Sequence, residues 1–174
     1  MTENTKYTAV SGEYTTNGTP NGVTSITPFI TVKDPTEAIK FYKNVFNARV
    51  KDITEHSDGN GNRMIVHAEL DFGNGFLQLG AANPAYQLSL PPDEENACYS
   101  LGIYVINVDE VIENAVSRGA KVRESIINFA SGDRFGSIVD PFGIRWSILT
   151  RIEDLSEEES SRRVAEWAKS FSAE

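Results

Sequence analysis

Hydrophobic and polar residues alternate with two different periods along this chain, and each change of period marks a predicted element. Residues 25–32, SITPFITV, alternate as a strand does. The next segment is apolar at helical spacing, at Ala38, Ile39, Tyr42, Val45 and Phe46. Asp34 and Pro35 supply an N-cap and a proline at the first helical position, which predicts a helix over residues 35–47. Three strand-like segments follow: ARVKDITEH, RMIVHAELDF and GFLQLG.

The same order of elements returns after a proline-containing linker over residues 81–97. It comprises the strand CYSLGIYV, a helix over residues 108–118, and the strands KVRESI, DRFGSIVD and IRWSILT. Several residue types also recur after a shift of 73 positions, as from 27 to 100: Thr27, Val32, Asp34, Glu37 and Ile39 correspond to Ser100, Val105, Asn107, Glu110 and Ile112. Two successive βαβββ units predict a duplicated α+β module, over residues 25–82 and 98–150.

Segments at both ends extend beyond this predicted domain of residues 25–150. Residues 1–24 are rich in Thr, Asn and Gly, which predicts an irregular N-terminal arm whose Tyr7 and Tyr14 contact the body or a second subunit. Residues 151–174 predict a helix with an N-cap at Ser156 and an apolar stripe of Val164, Trp167, Ala168 and Phe171. The stripe needs a surface that covers it, on the same chain or on a partner, and we expect a homodimer.

Composition limits the classes of partner. The 174 residues are 40 % hydrophobic and carry a formal net charge of -9, which disfavours nucleic acid as a partner. The sequence has no apolar run of the roughly 20 residues that a membrane span needs and no secretion signal, so we expect a cytoplasmic protein without a membrane partner. Cys98 is the single cysteine, and we expect it to be a small buried residue at the start of a strand.

Three segments carry a resemblance to a known family: ITPFITVKDPTEAIKFYKNVFNARV, HAELDFGNGFLQLG and GDRFGSIVDPFGIRWSILT. They resemble the vicinal oxygen chelate superfamily of glyoxalases, bleomycin-resistance proteins and extradiol dioxygenases, and within it the PhnB-like branch. The resemblance implies paired βαβββ modules that curl around a shared cavity, and subunits that commonly pair. It also implies a divalent metal bound by His or Glu at four positions, which fall here on Thr27, Gln78, Ser100 and Ser147.

These four residues depart from the metal-binding pattern of the family. Their hydroxyl and amide groups are neutral, whereas a catalytic Zn, Ni or Fe site needs imidazole, carboxylate or thiolate ligands. A shift of the register by one residue brings no such side chain to any of the four positions. The sequence therefore predicts that no metal and no other cofactor is bound, and that the Lewis-acid chemistry of the family is lost.

Strand alternation predicts which side chains face the cavity. On RMIVHAELDF the apolar residues from Met64 to Phe72 should meet the helix, so His67 and Glu69 face the cavity. Trp146 and Ile148 are predicted core residues, so Arg145 and Ser147 face the cavity as well. A buried guanidinium needs a partner, which for Arg145 is either Glu69 or an anionic ligand. The full predicted ligand-binding set is Phe29, Thr31, His67, Glu69, Gln78, Tyr104, Arg134, Phe135, Arg145 and Ser147.

Two of these residues have a structural alternative. Arg134 and Phe135 stand beside a glycine-flanked turn, where they either close over a ligand or form a loop salt bridge with structural packing.

A calcium loop that starts at Asp58 and continues through Asn60, Asn62 and Glu69 is disfavoured, because Arg63 occupies the position that requires glycine.

The function predicted from these features is metal-free binding of a small, partly aromatic or polar molecule, such as sequestration of a toxic compound or antibiotic. One alternative is a lyase, isomerase or dioxygenase type of enzyme of the same superfamily. Such an enzyme would use either an atypical metal site or acid/base chemistry by His67 and Glu69, which are the catalytic candidates. A further alternative is a regulatory or scaffold protein that acts through its surface.

Overall fold

The N-terminal arm contains a small β-hairpin, which the irregular arm predicted from composition does not include. The computed structural model describes residues 8–57, 61, 63–92 and 97–170, and its first strands are β1 (Thr15–Thr16) and β2 (Thr19–Pro20). Asn17 and Gly18 between them both have positive φ, which is the geometry of a two-residue hairpin turn and the reason that Asn-Gly favours it. Tyr14 beside the hairpin is 75 % exposed, and Tyr7 lies outside the described residues.

The first module consists of a strand, a helix and three further strands. These are β3 (Phe29–Thr31), α1 (Pro35–Phe46), β4 (Arg49–Ser57), β5 (Arg63–Asp71) and β6 (Phe76–Gly80). The sheet order is β3-β6-β5-β4, with β3 parallel to β6 and the other neighbours antiparallel. The predicted N-cap is present, since Asp34 accepts a hydrogen bond from the backbone N–H of Glu37. Helix α1 ends at Phe46 because Asn47 adopts a left-handed conformation.

The second module repeats this order. Its elements are β7 (Leu101–Tyr104), α2 (Val108–Ser117), β8 (Lys121–Asn128), β9 (Asp133–Val139) and β10 (Arg145–Arg151). The sheet order β7-β10-β9-β8 matches that of the first module, with β7 parallel to β10. The paired βαβββ architecture predicted from the sequence is therefore confirmed. Neither these helices nor the C-terminal helix α3 (Glu157–Ser170) has the length and apolar character that a membrane crossing requires, among the residues described.

A single apolar core on the helical side of both sheets joins the two modules. The rings of Tyr42 and Phe46 in α1 lie 5.4 and 4.6 Å from the ring of Trp146 in β10, measured between centroids. Helix α2 contributes Asn114, whose side-chain amide donates a 2.8 Å hydrogen bond to the backbone carbonyl of Asn44. Because the helices cover one face of each sheet, the side chains that alternate with the core residues lie on the opposite, open faces.

Helix α3 packs against its own chain. The rings of Trp167 and Phe129 are 4.8 Å apart in an edge-to-face arrangement, and the hydroxyl of Ser160 donates to the backbone carbonyl of Ser131. Hydrogen bonds from Arg162 and, to a smaller extent, from Arg163 lower the pKa of Glu159 to about 2, so this carboxylate is ionised at neutral pH. Trp167 remains 44 % exposed, and Phe171 of the predicted stripe lies outside the described residues.

Candidate functional site

Polar side chains of β5 and β6 form a connected group on the open face of the first sheet. Glu69 accepts a hydrogen bond from the amide of Gln78 at 3.2 Å, and its other carboxylate oxygen lies 3.0 Å from Nζ of Lys51. The Lys51 ammonium also lies 4.4 Å from the centre of the Phe76 ring. The hydrogen bond from Lys51 holds the pKa of Glu69 below its usual range, and the hydrogen bond from Gln78 contributes a smaller effect in the same direction. Glu69 is therefore an ionised hydrogen-bond acceptor at neutral pH.

His67 lies two residues before Glu69 on β5. Its ring stacks on that of Phe29 with the centroids 6.1 Å apart, while the side chain of Thr31, two residues further along β3, is buried. The predicted apolar face of β5 is correct at Ala68 and Leu70, which are fully buried. It is wrong at the start of the strand, where Ile65 is buried and Met64 is exposed.

The physical reason is a shift in the pairing of β4 with β5. Thr54 pairs with His67, whereas the next residue, Glu55, pairs with Ile65. A bulge of this kind turns the following side chains to the other face of a strand.

Hydroxyl groups form a row across the open face of the second sheet. Ser147 on β10 pairs with Ser137 on β9 and with Gly102 on β7. The oxygen of its hydroxyl lies 3.0 Å from that of Ser100, so these two groups share a hydrogen bond. Ser137 is fully buried, and its hydroxyl has no hydrogen-bond partner among the described residues. Ser100 and Ser147 can thus offer hydroxyl groups to a polar molecule, whereas the buried hydroxyl of Ser137 is not accessible to one.

The protein partner of Arg145 differs from the one considered from the sequence. One of its terminal guanidinium nitrogens lies 3.3 Å from a carboxylate oxygen of Glu124. Glu69 lies on the other sheet, where Lys51 and Gln78 already bind it. Strand β9 pairs with both β8 and β10, and this arrangement brings Glu124 and Arg145 within reach of each other. Of the two alternatives, the pairing of Arg145 with Glu69 is therefore wrong.

Arg134 forms the structural salt bridge rather than closing over a cavity. Its guanidinium binds both carboxylate oxygens of Asp109 on α2, at 2.6 and 2.7 Å, and the side-chain oxygen of Asn128 at 2.8 Å. The hydrogen bond from Arg134 holds the pKa of Asp109 below its usual range. Strand alternation explains the difference, because it turns Arg134 toward α2 and its half-buried neighbour Phe135 toward the open face.

A cleft of about 380 Å³ lies between the two modules. This inter-module cleft is lined by Pro28, Phe72, residues 74–77, residues 100–104 and Trp146. The rings of Phe72 and Trp146 are 6.0 Å apart, while Phe76 and Tyr104 add further aromatic surface. A Cβ atom built on Gly102 would meet nothing within 4 Å, so the space beside β7 is open.

Sequence reasoning found only part of this lining. Tyr104 of the predicted ligand-binding set lies in the cleft, and so does Ser100, one of the four positions matched to metal ligands. His67, Glu69, Gln78, Arg145 and Ser147 are not among its lining residues. Phe72 and Phe76 were missed because they enter the cleft only when the β5–β6 hairpin packs beside β7. Local periodicity contains no signal for that long-range contact.

The architecture and the cleft define a protein of paired βαβββ modules with a small-molecule-sized space between the modules. The chain belongs to the glyoxalase/bleomycin resistance protein/dioxygenase superfamily, whose family model matches residues 22–148. The family membership predicted from the quoted segments is thereby confirmed. A protein of Mycobacterium tuberculosis whose function is uncharacterized is 25 % identical over 138 residues, which cover 78 % of this chain and 79 % of that protein.

Solved structures share the fold at low sequence identity. TioX from Micromonospora has a TM-score of 0.56 and 22 % identity, with 74 % of this chain and 98 % of that chain covered. The PhnB protein of Bacillus cereus has a TM-score of 0.56 and 18 % identity over 73 % of this chain and 99 % of that chain. The fosfomycin resistance protein FosX of Listeria monocytogenes, solved with Mn(II) and dihydroxypropylphosphonic acid, has a TM-score of 0.56 and 14 % identity over 79 % of this chain and 94 % of that chain.

The residues at the four metal-ligand positions do not fit a metal of the family's kind. Ser100 and Ser147 are hydrogen-bonded to each other, and the amide of Gln78 donates to Glu69. Together with Thr27 they offer neutral oxygens and an amide, which are poor ligands for Zn, Ni or Fe. Over the described parts of the chain, no three His, Cys, Asp or Glu side chains are grouped as a metal site requires.

Proposed function

We propose that this protein binds a small aromatic molecule in the inter-module cleft without a metal ion. The observation that carries the proposal is the Ser100–Ser147 hydroxyl pair, which occupies two metal-ligand positions directly beside an aromatic cleft. A cleft of about 380 Å³ is at the small end of the volumes that hold drug-sized ligands, which are roughly 300–1,000 Å³. Binding of a ligand without its chemical conversion is consistent with the sequestration of a toxic compound or antibiotic.

The contacts within the cleft support a flat ligand with one polar group. Phe72, Phe76 and Tyr104 offer ring surface that favours stacked or edge-to-face contact with an aromatic ring, while the nearly buried Trp146 packs against Phe72. Ser100 supplies a hydroxyl that can donate to or accept from the polar group of the ligand. FosX was solved with Mn(II) and dihydroxypropylphosphonic acid, whereas the ligand of this protein would be held by stacking and hydroxyl groups.

An enzyme that uses His67 and Glu69 is the weaker candidate. A general acid at neutral pH needs a raised pKa, whereas the hydrogen bond from Lys51 holds the pKa of Glu69 below its usual range. His67 stacks on Phe29, and neither His67 nor Glu69 lines the inter-module cleft. These two residues are therefore more consistent with the polar face of a sheet than with an acid/base pair that acts on a ligand in the cleft.

The substitution Gly102→Leu tests this function because it fills the cleft. The leucine side chain would enter open space, so the fold should persist while aromatic ligands lose their binding volume. Ligands are first identified by thermal shift of EDTA-treated protein against aromatic compounds, and their affinities are then measured by calorimetry. We expect Gly102→Leu to weaken binding by about tenfold or more, equivalent to at least ~1.4 kcal/mol.

The matched control is Gly12→Leu in the N-terminal arm, where a Cβ atom also meets nothing within 4 Å. This variant should bind like the wild type, and circular dichroism should show the same fold for all three proteins. Ligands that bind Gly102→Leu as tightly as the wild type would show that the inter-module cleft is not the binding site.

We further propose that the protein is a cytoplasmic homodimer. Large apolar side chains outside the inter-module cleft remain uncovered in the single chain, and Ile106 and Ile26 are 98 and 84 % exposed. A second subunit would remove such surface from water. Multi-angle light scattering at micromolar concentration should give twice the chain mass of 19.2 kDa, and a monomeric mass would contradict the proposal.

A further inference from the structure

A second cavity lies beneath the linker that joins the two modules. It has a volume of about 780 Å³ and lies between the linker, the start of β8 and the β9–β10 turn. We call it the linker cavity. Four cationic side chains line it: Lys33, Lys121, Arg123 and Arg145. This concentration of positive charge is notable in a chain whose formal net charge is -9.

The described carboxylates offset only part of this charge. Glu124 lies 3.3 Å from Arg145 and 3.8 Å from Arg123, measured between charged atoms. Asp140 lines the cavity but is buried, and its carboxylate already accepts four hydrogen bonds from Tyr42, Trp146 and two backbone N–H groups. Among the described residues, these four cations therefore lie near two carboxylates, Glu124 and the buried Asp140, which leaves an excess of positive charge. A cavity lined in this way concentrates anions.

Arg145 adds an unsatisfied donor to the cavity. Its Nε is buried and has no hydrogen-bond acceptor among the described residues, although the side chain as a whole is 25 % exposed. A buried donor without an acceptor is costly. The exposed part of the guanidinium can donate to a carboxylate or phosphate group, and a rotation of the side chain would present Nε together with a terminal nitrogen.

We propose that the linker cavity is a binding site for a small organic anion. A carboxylate or phosphate group would lie against Arg145 and be neutralised by Lys121, while apolar atoms of the ligand would contact Pro91 and Phe142. The proposal does not depend on the function of the inter-module cleft, because the two cavities share no lining residue.

Cys98 provides a built-in reporter for this site. It is the only cysteine of the chain, it is exposed rather than buried as expected from the sequence, and it lines the linker cavity. Its position in the loop before β7, rather than at the start of a strand, accounts for the exposure. The thiolate of Cys98 can attack an aromatic disulfide reagent and release one aromatic thiolate, which is followed by absorbance.

The experiment compares two such reagents on the full chain, the dianion dithiobis(nitrobenzoate) and the uncharged dithiodipyridine. We expect the rate ratio of anionic to uncharged reagent to exceed that of a free small-molecule thiol by about tenfold, because the cations concentrate the anion. Inorganic phosphate should lower the rate with the anionic reagent more than sodium chloride does at equal ionic strength. A ratio equal to that of the free thiol, or equal effects of the two salts, would overturn the proposal.

Variants then connect the effect to the cavity. The first is a double variant at two exposed residues, Lys33→Gln with Arg123→Gln. It should lower the rate ratio at least about threefold, because it removes two of the four cations. The matched control, Lys40→Gln with Lys43→Gln on α1, changes the net charge equally outside the lining and should leave the ratio unchanged. An equal ratio for the wild type and the Lys33/Arg123 variant would also overturn the proposal.

A last variant addresses the acidic residues Asp93, Glu94 and Glu95, which follow Pro92 in the sequence and lie outside the described residues. The triple substitution Asp93→Asn, Glu94→Gln and Glu95→Gln should raise the rate ratio above that of the wild type. An anion preference that exists only in this variant would mean that the chain neutralises its own cations, and would overturn the proposal for the wild-type protein.

Discussion

The substitution Asp140→Ala is expected to lower the free energy of unfolding by about 4 kcal/mol, which places it among the most damaging single changes in this chain. Asp140 is only 4 % exposed and accepts hydrogen bonds from the hydroxyl of Tyr42 at 2.7 Å and the indole N–H of Trp146 at 3.0 Å. It also accepts from the backbone N–H groups of Phe142 and Ile144, each at 2.9 Å. Alanine leaves all four donors unpaired, and most of them are buried.

Tyr42 belongs to the first module and Asp140 to the second, so this network also holds the modules together. Urea denaturation followed by circular dichroism measures the loss. The control Tyr42→Phe removes a single donor and should cost only about 1 kcal/mol, because the carboxylate keeps its other partners. If Asp140→Ala costs no more than Tyr42→Phe, the carboxylate does not organise this part of the core.

The pH dependence of this effect has a defined sign. Burial raises the pKa of Asp140 above its usual value, an effect that the hydrogen bond from Tyr42 partly offsets. At pH values between the pKa of Asp140 in the unfolded chain and its higher pKa in the folded chain, the folded chain binds more protons at this carboxyl than the unfolded chain does. The stability of the wild type relative to Asp140→Asn should therefore fall as pH rises through that range. A relative stability that rises with pH there would contradict the assigned direction of the shift.

The second large effect is expected for Gly80→Ala, which should destabilise the fold by about 3 kcal/mol or more. A Cβ atom at Gly80 would lie 2.3 Å from the carbonyl oxygen and 2.9 Å from the carbonyl carbon of Val66. These are backbone atoms of β5, which cannot move away without separating β5 from β6. The same two strands carry His67, Glu69 and Gln78, so the polar group of the first sheet should be disturbed as well.

The matched control for this substitution is Gly102→Ala, which also changes a glycine within a strand. A Cβ atom there meets nothing within 4 Å, so the change should be nearly neutral. Thermal unfolding of the two variants and the wild type separates steric contact from the general cost of replacing a strand glycine. Equal melting temperatures for Gly80→Ala and Gly102→Ala would contradict the close approach of β5 to Gly80.

Much of the fold follows from local sequence patterns. The helix α1 is specified by Asp34 and Pro35 at its start and by apolar residues at helical spacing, and α2 follows the same pattern after Asn107. Strand alternation correctly predicts that Trp146 and Ile148 are buried core residues. These features depend on neighbours within a few positions along the chain, which is why periodicity and capping identify them.

The candidate site depends instead on contacts between distant segments. Arg145 meets Glu124 rather than Glu69 because β8 and β10 flank the same strand, and no local pattern specifies that choice. The inter-module cleft depends on how the two modules pack together, and the packing of Tyr42 and Phe46 on Trp146 joins residues about 100 positions apart in sequence. The exposure of Cys98 was likewise not predictable, because it depends on β7 starting only at Leu101, which leaves Cys98 in the preceding loop.

The proposed function requires that the protein bind its small-molecule ligand without a metal ion. Equilibrium dialysis of EDTA-treated protein against Zn, Ni, Mn and Fe(II), followed by elemental analysis with and without a ligand from the thermal-shift screen, tests it most directly. We expect far less than one ion per chain and a ligand affinity that added metal does not change. One ion per chain that is lost in Ser147→Ala, together with ligand binding that requires the ion, would contradict it.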